Sequence, residues 1–223
     1  MIDTATTKGR ILAAALDLAG KQDWASVTLF DIAEAAGVSF LELREDFATK
    51  SDVLSALFDA VDAELLRKAP KRGEGQEKRD LLFDAVMTRF DLLAPYRKAL
   101  KSVHASGLGG LSLAGRYLSS QHWMLEAAGI STDGPAGLLR VAGLATTYAS
   151  VFRVWLEDED PGLARTMAAL DRRLRRGERA IDTVDRLAGS FGRLGGGACR
   201  LLAEVLCGRA RPVPPRGREP EAG

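Results

Sequence analysis

The sequence predicts an all-α protein. Few stretches alternate apolar and polar residues with the period of two that a half-buried strand needs, and good helix formers (Ala, Leu, Arg, Glu) dominate. Apolar residues recur instead at spacings of three and four in one segment after another. A hydrophobic content of 46% over 223 residues supports a packed core. No repeat of fixed period is present.

The first helix spans about Thr7 to Ala19, with Ile11, Leu12, Ala15, Leu16 and Leu18 as its apolar stripe. Gly20 is the expected left-handed stop. Thr28 caps a second helix, "LFDIAEAA", with Asp31 as the partner three residues on. Gly37 makes a turn, Ser39 caps a third helix and Phe47 closes it. Ser51 with Asp52 opens a long fourth helix to about Arg67, buried through Val53, Leu54, Leu57, Phe58, Val61 and Leu65.

The polar, glycine-bearing stretch "APKRGEGQEKR" at 69–79 reads as a boundary. Helices follow at about 80–93, 96–105, 113–127, 136–157 and 162–186, then a further apolar-striped segment from Leu187 to Leu206. The domain reading is therefore 1–50 helix-turn-helix, 51–68 connecting helix, 69–79 linker, 80–208 larger helical domain, and 209–223 disordered basic tail.

Net charge is +1, which singles out no partner, but its distribution is uneven. Residues 1–68 carry seven Lys/Arg against twelve Asp/Glu, a balance of −5. Residues 186–223 carry seven Arg against three Glu, a balance of +4. Cys199 and Cys207 suggest neither a disulfide framework nor, with His104 and His122, a metal cluster. No signal peptide and no membrane-spanning run is visible, so a cytoplasmic location is expected.

The segment "RILAAALDLAG…WASVTLFDIAEAAGVS…F..K.DVL" resembles the N-terminal pattern of the TetR family of bacterial regulators over roughly residues 7–60. Thr28, Ile32, Ala33, Ala36, Gly37, Val38, Ser39, Leu43, Phe47, Lys50 and Leu54 carry the resemblance. It implies a TetR-like architecture, with 80–208 as a helical ligand-binding and dimerisation domain, and a homodimer. It also implies DNA contact through Thr28, Ser39, Phe40, Leu41, Glu42, Arg44 and Lys50. The third helix departs from the family pattern. It presents Glu42, Glu45 and Asp46 against one Arg44, where basic and small polar residues are usual. Acids close to phosphates are repelled; Lys8 and Arg10 offer cations nearby in sequence.

A second stretch, "TYASVFRVWLEDEDPGLARTMAALDRRLRRGER" at 147–179, resembles the TetR-like lipid-binding accessory proteins of coenzyme Q (ubiquinone) biosynthesis. That resemblance implies lipid or isoprenoid binding, contact with the inner membrane and a lost DNA role.

The helix at 136–157 is apolar on most sides, as a helix buried in a core or lining a cavity would be. Trp123, Met124, Tyr148, Phe152 and Trp155 are the candidate residues for a small apolar ligand or lipid. Leu187, Phe191, Leu194, Leu201, Leu202 and Val205 form one apolar face suited to a dimer partner or a membrane surface. The acidic run at 157–160 reads as a solvated helix end. No nucleophile elbow, phosphate-binding glycine loop or assignable catalytic carboxylate pair is visible, so neither an enzyme nor a cofactor is expected. Two functional readings stand: a regulator whose DNA binding is controlled by an apolar ligand, and a lipid-binding accessory protein.

Overall fold

The computed structural model describes residues 2–68, 77–107 and 113–191, with side chains to residue 178. Residues 1–179 form one compact unit. Among its described residues the regular elements are helices: α1 (Thr7–Lys21), α2 (Leu29–Ala36), α3 (Phe40–Asp46), α4 (Lys50–Lys68), α5 (Lys78–Leu93), a 3-10 turn (Ala94–Tyr96), α6 (Arg97–Ala105), α7 (Ala114–Ala127), α8 (Gly134–Leu156) and the start of α9 (Ala164–Phe191). Of the second unit, 180–223, the described part is the end of α9. None of the described helices is long and apolar enough to cross a membrane.

Each boundary has a local cause. Thr6 starts α1 by accepting the Gly9 N–H at 3.0 Å. The expected stop at Gly20 is corrected: α1 continues to Lys21, and an extended Gln22 ends it by returning its N–H to the Leu18 carbonyl. Gly20 sits where α6 passes, with the Ala99 nitrogen 3.9 Å from where a Cβ would stand. The cap of α4 is also corrected, from Ser51 to Thr49. The hydroxyl of Thr49 accepts from Asp52 N–H at 3.2 Å, and the Asp52 carboxylate takes the Thr49 N–H at 2.8 Å.

The structure joins what the sequence separates at Leu187. No proline interrupts 164–191, and α9 runs unbroken to Phe191. Leu187 and Phe191 therefore lie on α9, while Leu194, Leu201, Leu202 and Val205 lie outside the described residues.

One continuous apolar core runs through the first unit, from Ile11 on α1 to Leu174 on α9. It includes the expected buried face of α4: Val53, Leu54, Leu57, Val61 and Leu65, with Phe58 packed at its edge. A polar staple reinforces the join between α1 and α6. The Ser102 hydroxyl accepts the Trp24 N–H at 2.9 Å and donates to the Gln22 carbonyl at 3.1 Å.

Candidate functional site

The helix-turn-helix is built by two matching caps. At α2, the Thr28 hydroxyl accepts the Asp31 N–H at 3.1 Å, and the Asp31 carboxylate takes the Thr28 N–H at 2.8 Å. At α3, the Ser39 hydroxyl accepts the Glu42 N–H at 3.1 Å, and the Glu42 carboxylate takes the Ser39 N–H at 2.7 Å. Between them Gly37 adopts φ 62°, left-handed backbone that glycine reaches without cost from a side chain. Buried Ile32, Ala33 and Leu43 pin the two helices to α1.

These bonds give part of the expected DNA-binding set a structural task. The Ser39 side chain and backbone hold the Glu42 carboxyl below its ordinary value, with Arg10 adding to the effect. The acid is thus a structural cap, and Thr28 has the same task in α2. Lys50 is turned inward. Its ammonium donates to the Trp24 carbonyl at 2.7 Å and the Val27 carbonyl at 2.6 Å, and lies 4.8 Å from the centre of the Trp24 ring. Burial pushes Lys50 below the usual lysine value, opposed by Asp23 and Asp31.

Phe40, Leu41, Arg44, Glu45 and Asp46 remain outward on α3. Phe40 is 50% exposed and Leu41 64%. Phe30 of α2, also largely exposed, meets Phe40 with ring centres 6.2 Å apart. Lys8 of α1 reaches this region too, its ammonium 5.7 Å from the Phe47 ring centre. The surface is an apolar centre flanked by charges of both signs.

The second expected site lies around α8. Tyr148, Phe152 and Trp155 stack together, with centres 6.1 Å apart for the first pair and 5.5 Å for the second. Phe90 of α5, which the sequence reading does not single out, stacks on Tyr148 at 5.1 Å and on Trp155 at 5.3 Å. Met124 belongs to the same core. Trp123 does not join them: it faces out, 44% exposed, edge-on to His122. A groove of about 450 Å³ lies elsewhere, between α5 and α9, lined by Phe83, Met167 and Leu174 among charged side chains. None of the five expected pocket residues lines it.

No protein-family model matches the chain, and no curated protein does either. Solved structures do. A TetR transcriptional regulator from Nitrosomonas europaea ATCC 19718 is 27% identical, covering 77% of this chain and 97% of its own, with a TM-score of 0.62. A TetR transcriptional regulator from Rhodococcus sp. RHA1 is 20% identical over 78% of this chain and 96% of its own, at 0.57. A TetR-family transcriptional regulator from Streptomyces coelicolor is 19% identical over 88% and 99%, at 0.53. The chain has a TetR-like fold.

Within this fold a polar cluster sits inside the apolar core, and nothing in the sequence reading points to it. Arg89 of α5 is 2% exposed. Its guanidinium pairs with the Asp62 carboxylate of α4, donates from Nε to the Tyr148 hydroxyl at 3.1 Å and from Nη2 to the Ser120 hydroxyl at 3.2 Å. Ser120 in turn donates to Asp62. The rings of Phe58 and Tyr148 face the cation at 5.8 and 5.6 Å. An isolated buried arginine leaves no periodic trace, so its carboxylate partner 27 positions earlier was not legible.

The acidic corner between α8 and α9 also departs from expectation. Glu157, Glu159 and Asp160 are exposed, but Asp158 is 1% exposed. It is no solvated helix end: its carboxylate accepts the Thr166 N–H at 2.9 Å and the Thr166 hydroxyl at 2.7 Å. Asp160 accepts the Gly162 and Ala164 N–H groups. The acidic corner thus acts in this TetR-like fold as the cap of α9.

Proposed function

We propose that the protein is a DNA-binding regulator of the TetR type, with a small apolar ligand in the helical domain controlling its hold on DNA. The observation that carries this reading is α3, doubly capped and exposed, in a fold shared with a TetR transcriptional regulator over 97% of that chain. On α3, Arg44 is suited to the paired acceptors of a guanine, and Phe40 and Leu41 to thymine methyl groups. Glu45 can accept from cytosine N4. Lys8 and Arg10 are the expected phosphate contacts. Leu138 and Leu139 of α8, with Leu118 of α7, stay exposed and suit a second copy of the chain. Paired α3 helices would then meet two half-sites, and the ligand would favour a spacing that fits neither.

Selection of bound duplexes from a random pool, followed by salt titration on the enriched sequence, tests this. Enrichment of a two-fold symmetric site is expected. The salt slope should be shallow, close to −0.9 for each of the few phosphates neutralised. Failure to enrich any sequence would overturn the reading.

A second reading has its own observation. Phe30, Phe40 and Leu41 stand exposed where a DNA reader usually carries polar groups. An apolar patch of that kind suits a lipid-binding accessory protein that has left DNA behind. Binding to anionic vesicles, measured with and without residues 187–223, supports this reading if it is lost on truncation and duplex binding is absent.

A further inference from the structure

The Arg89 cluster is a carboxylate seat with a carboxylate of the chain already in it. Three features distinguish it from a structural ion pair. First, it sits among aromatic faces, where water cannot repay the desolvation of the cation; such pairs are often replaceable by apolar residues without loss of stability. Second, its two sides differ. The Arg89 side chain is 3% exposed and that of Asp62 14% exposed, so Asp62 is the less buried partner, although its oxygen facing Arg89 is itself shut off from solvent. Third, the guanidinium stays held when Asp62 leaves, because Tyr148 and Ser120 keep its Nε and Nη2. The Ser120 hydroxyl, which now donates to Asp62, would donate equally well to another carboxylate.

We propose that Arg89 is the polar anchor of the ligand site and that the ligand is an apolar monocarboxylic acid, which takes Asp62's place. This inference rests on the reading that the helical domain binds a small apolar molecule. Its acid group would pair with Arg89 and Ser120, and its apolar body would have to open space beside half-buried Phe58, since Phe90 and Tyr148 are packed in the core. Asp62 competes at the high local concentration of a tethered group. The ligand wins only by the apolar surface it buries, so short acids such as acetate bind poorly. Asp62 belongs to α4, the helix that follows directly on the helix-turn-helix. Its release removes the polar tie from α4 to α5 and one of two polar ties to α7; the other, Asp59 with Arg116 at 2.8 Å, stays.

The test titrates the full-length protein, without DNA, with decanoate and naphthalene-2-carboxylate, each against the alcohol of the same skeleton. Wild type should prefer at least one acid over its alcohol by tenfold or more. Asp62→Asn, which removes the internal competitor and leaves Arg89 in place, should raise that acid-to-alcohol ratio a further tenfold. Arg89→Met should bring the ratio to about one; should it fail to fold, Asp62→Asn still decides. Equal affinity for acid and alcohol, no binding of either acid, or an unmoved ratio in Asp62→Asn would overturn the proposal. Duplex binding measured on the same samples separates the two ideas. Acid preference without DNA binding overturns the regulator and keeps the anchor, and the converse overturns the anchor alone.

Discussion

Asp158 and Thr166 close the corner between α8 and α9 through two hydrogen bonds to one carboxylate, from the threonine backbone and from its hydroxyl. Burial alone would raise the Asp158 pKa. The Thr166 bonds and the Asp160 N–H outweigh it and hold the group below its ordinary value. A carboxyl whose folded pKa is depressed adds stability above the unfolded value, about 3.9, and loses it as pH falls through the folded value. Thr166→Val should therefore cost about 1–3 kcal/mol at pH 7, and clearly less at pH 2. Denaturant melts at the two pH values check this; an equal loss at both would place the effect in packing.

Lys50 is expected to matter more for folding than for phosphate contact. Lys50→Met removes two charge-assisted bonds to the loop between α1 and α2, together with the ring contact to Trp24. A loss of about 1.5–3 kcal/mol follows, with the salt slope of duplex binding unaltered. Chemical denaturation and a salt titration of the variant measure the two quantities independently. A slope reduced by about one unit would return Lys50 to the phosphate contacts.

Ser39→Ala should lower stability by about 1 kcal/mol, the usual worth of an N-cap. Glu42→Gln tests the same box from the other side. Glutamine keeps the reciprocal bond to the Ser39 N–H but loses its charge assistance, so stability should fall slightly while non-specific duplex binding at low salt tightens. Unchanged duplex binding would mean that the Glu42 charge, already committed to Ser39, lies outside the reach of phosphates.

Gly37→Ala isolates a backbone cost. No atom lies within 4 Å of where the new Cβ would stand, so packing is not disturbed. Left-handed backbone at φ 62° should still cost alanine about 1–2 kcal/mol. A thermal melt showing no loss would mean that the turn relaxes into another conformation.

The helix-turn-helix was legible because its determinants are local. Thr28 with Asp31 is a spacing of three visible in the sequence, and the structure forms that box. Ser39 with Glu42 and Thr49 with Asp52 share that spacing and form the same box, although the sequence expectation opens α4 at Ser51 and names Glu42 only as a DNA contact. The S/T-x-x-D/E pattern marks both as capping boxes. Lys50 turning inward was not legible, since its acceptors are backbone carbonyls 23 and 26 positions away. The stack on Phe90 and the pairing of Asp62 with Arg89 depend in the same way on how α4, α5 and α8 cross. Periodicity identifies an inward face but not which residue it meets there. Trp123 shows the limit from the other direction: the residue next to buried Met124 points into solvent.

The inward turn of Lys50 bears on how such a protein would find its target. Sliding along a chromosome relies on a loose ionic grip that any sequence supplies, and cations committed to a protein's own carbonyls add nothing to it. Search would then proceed by repeated encounters through open solution, with dwell times on random sequence kept brief. Occupancy of a promoter would follow the number of copies in the cell far more closely than for a regulator with a strongly basic face.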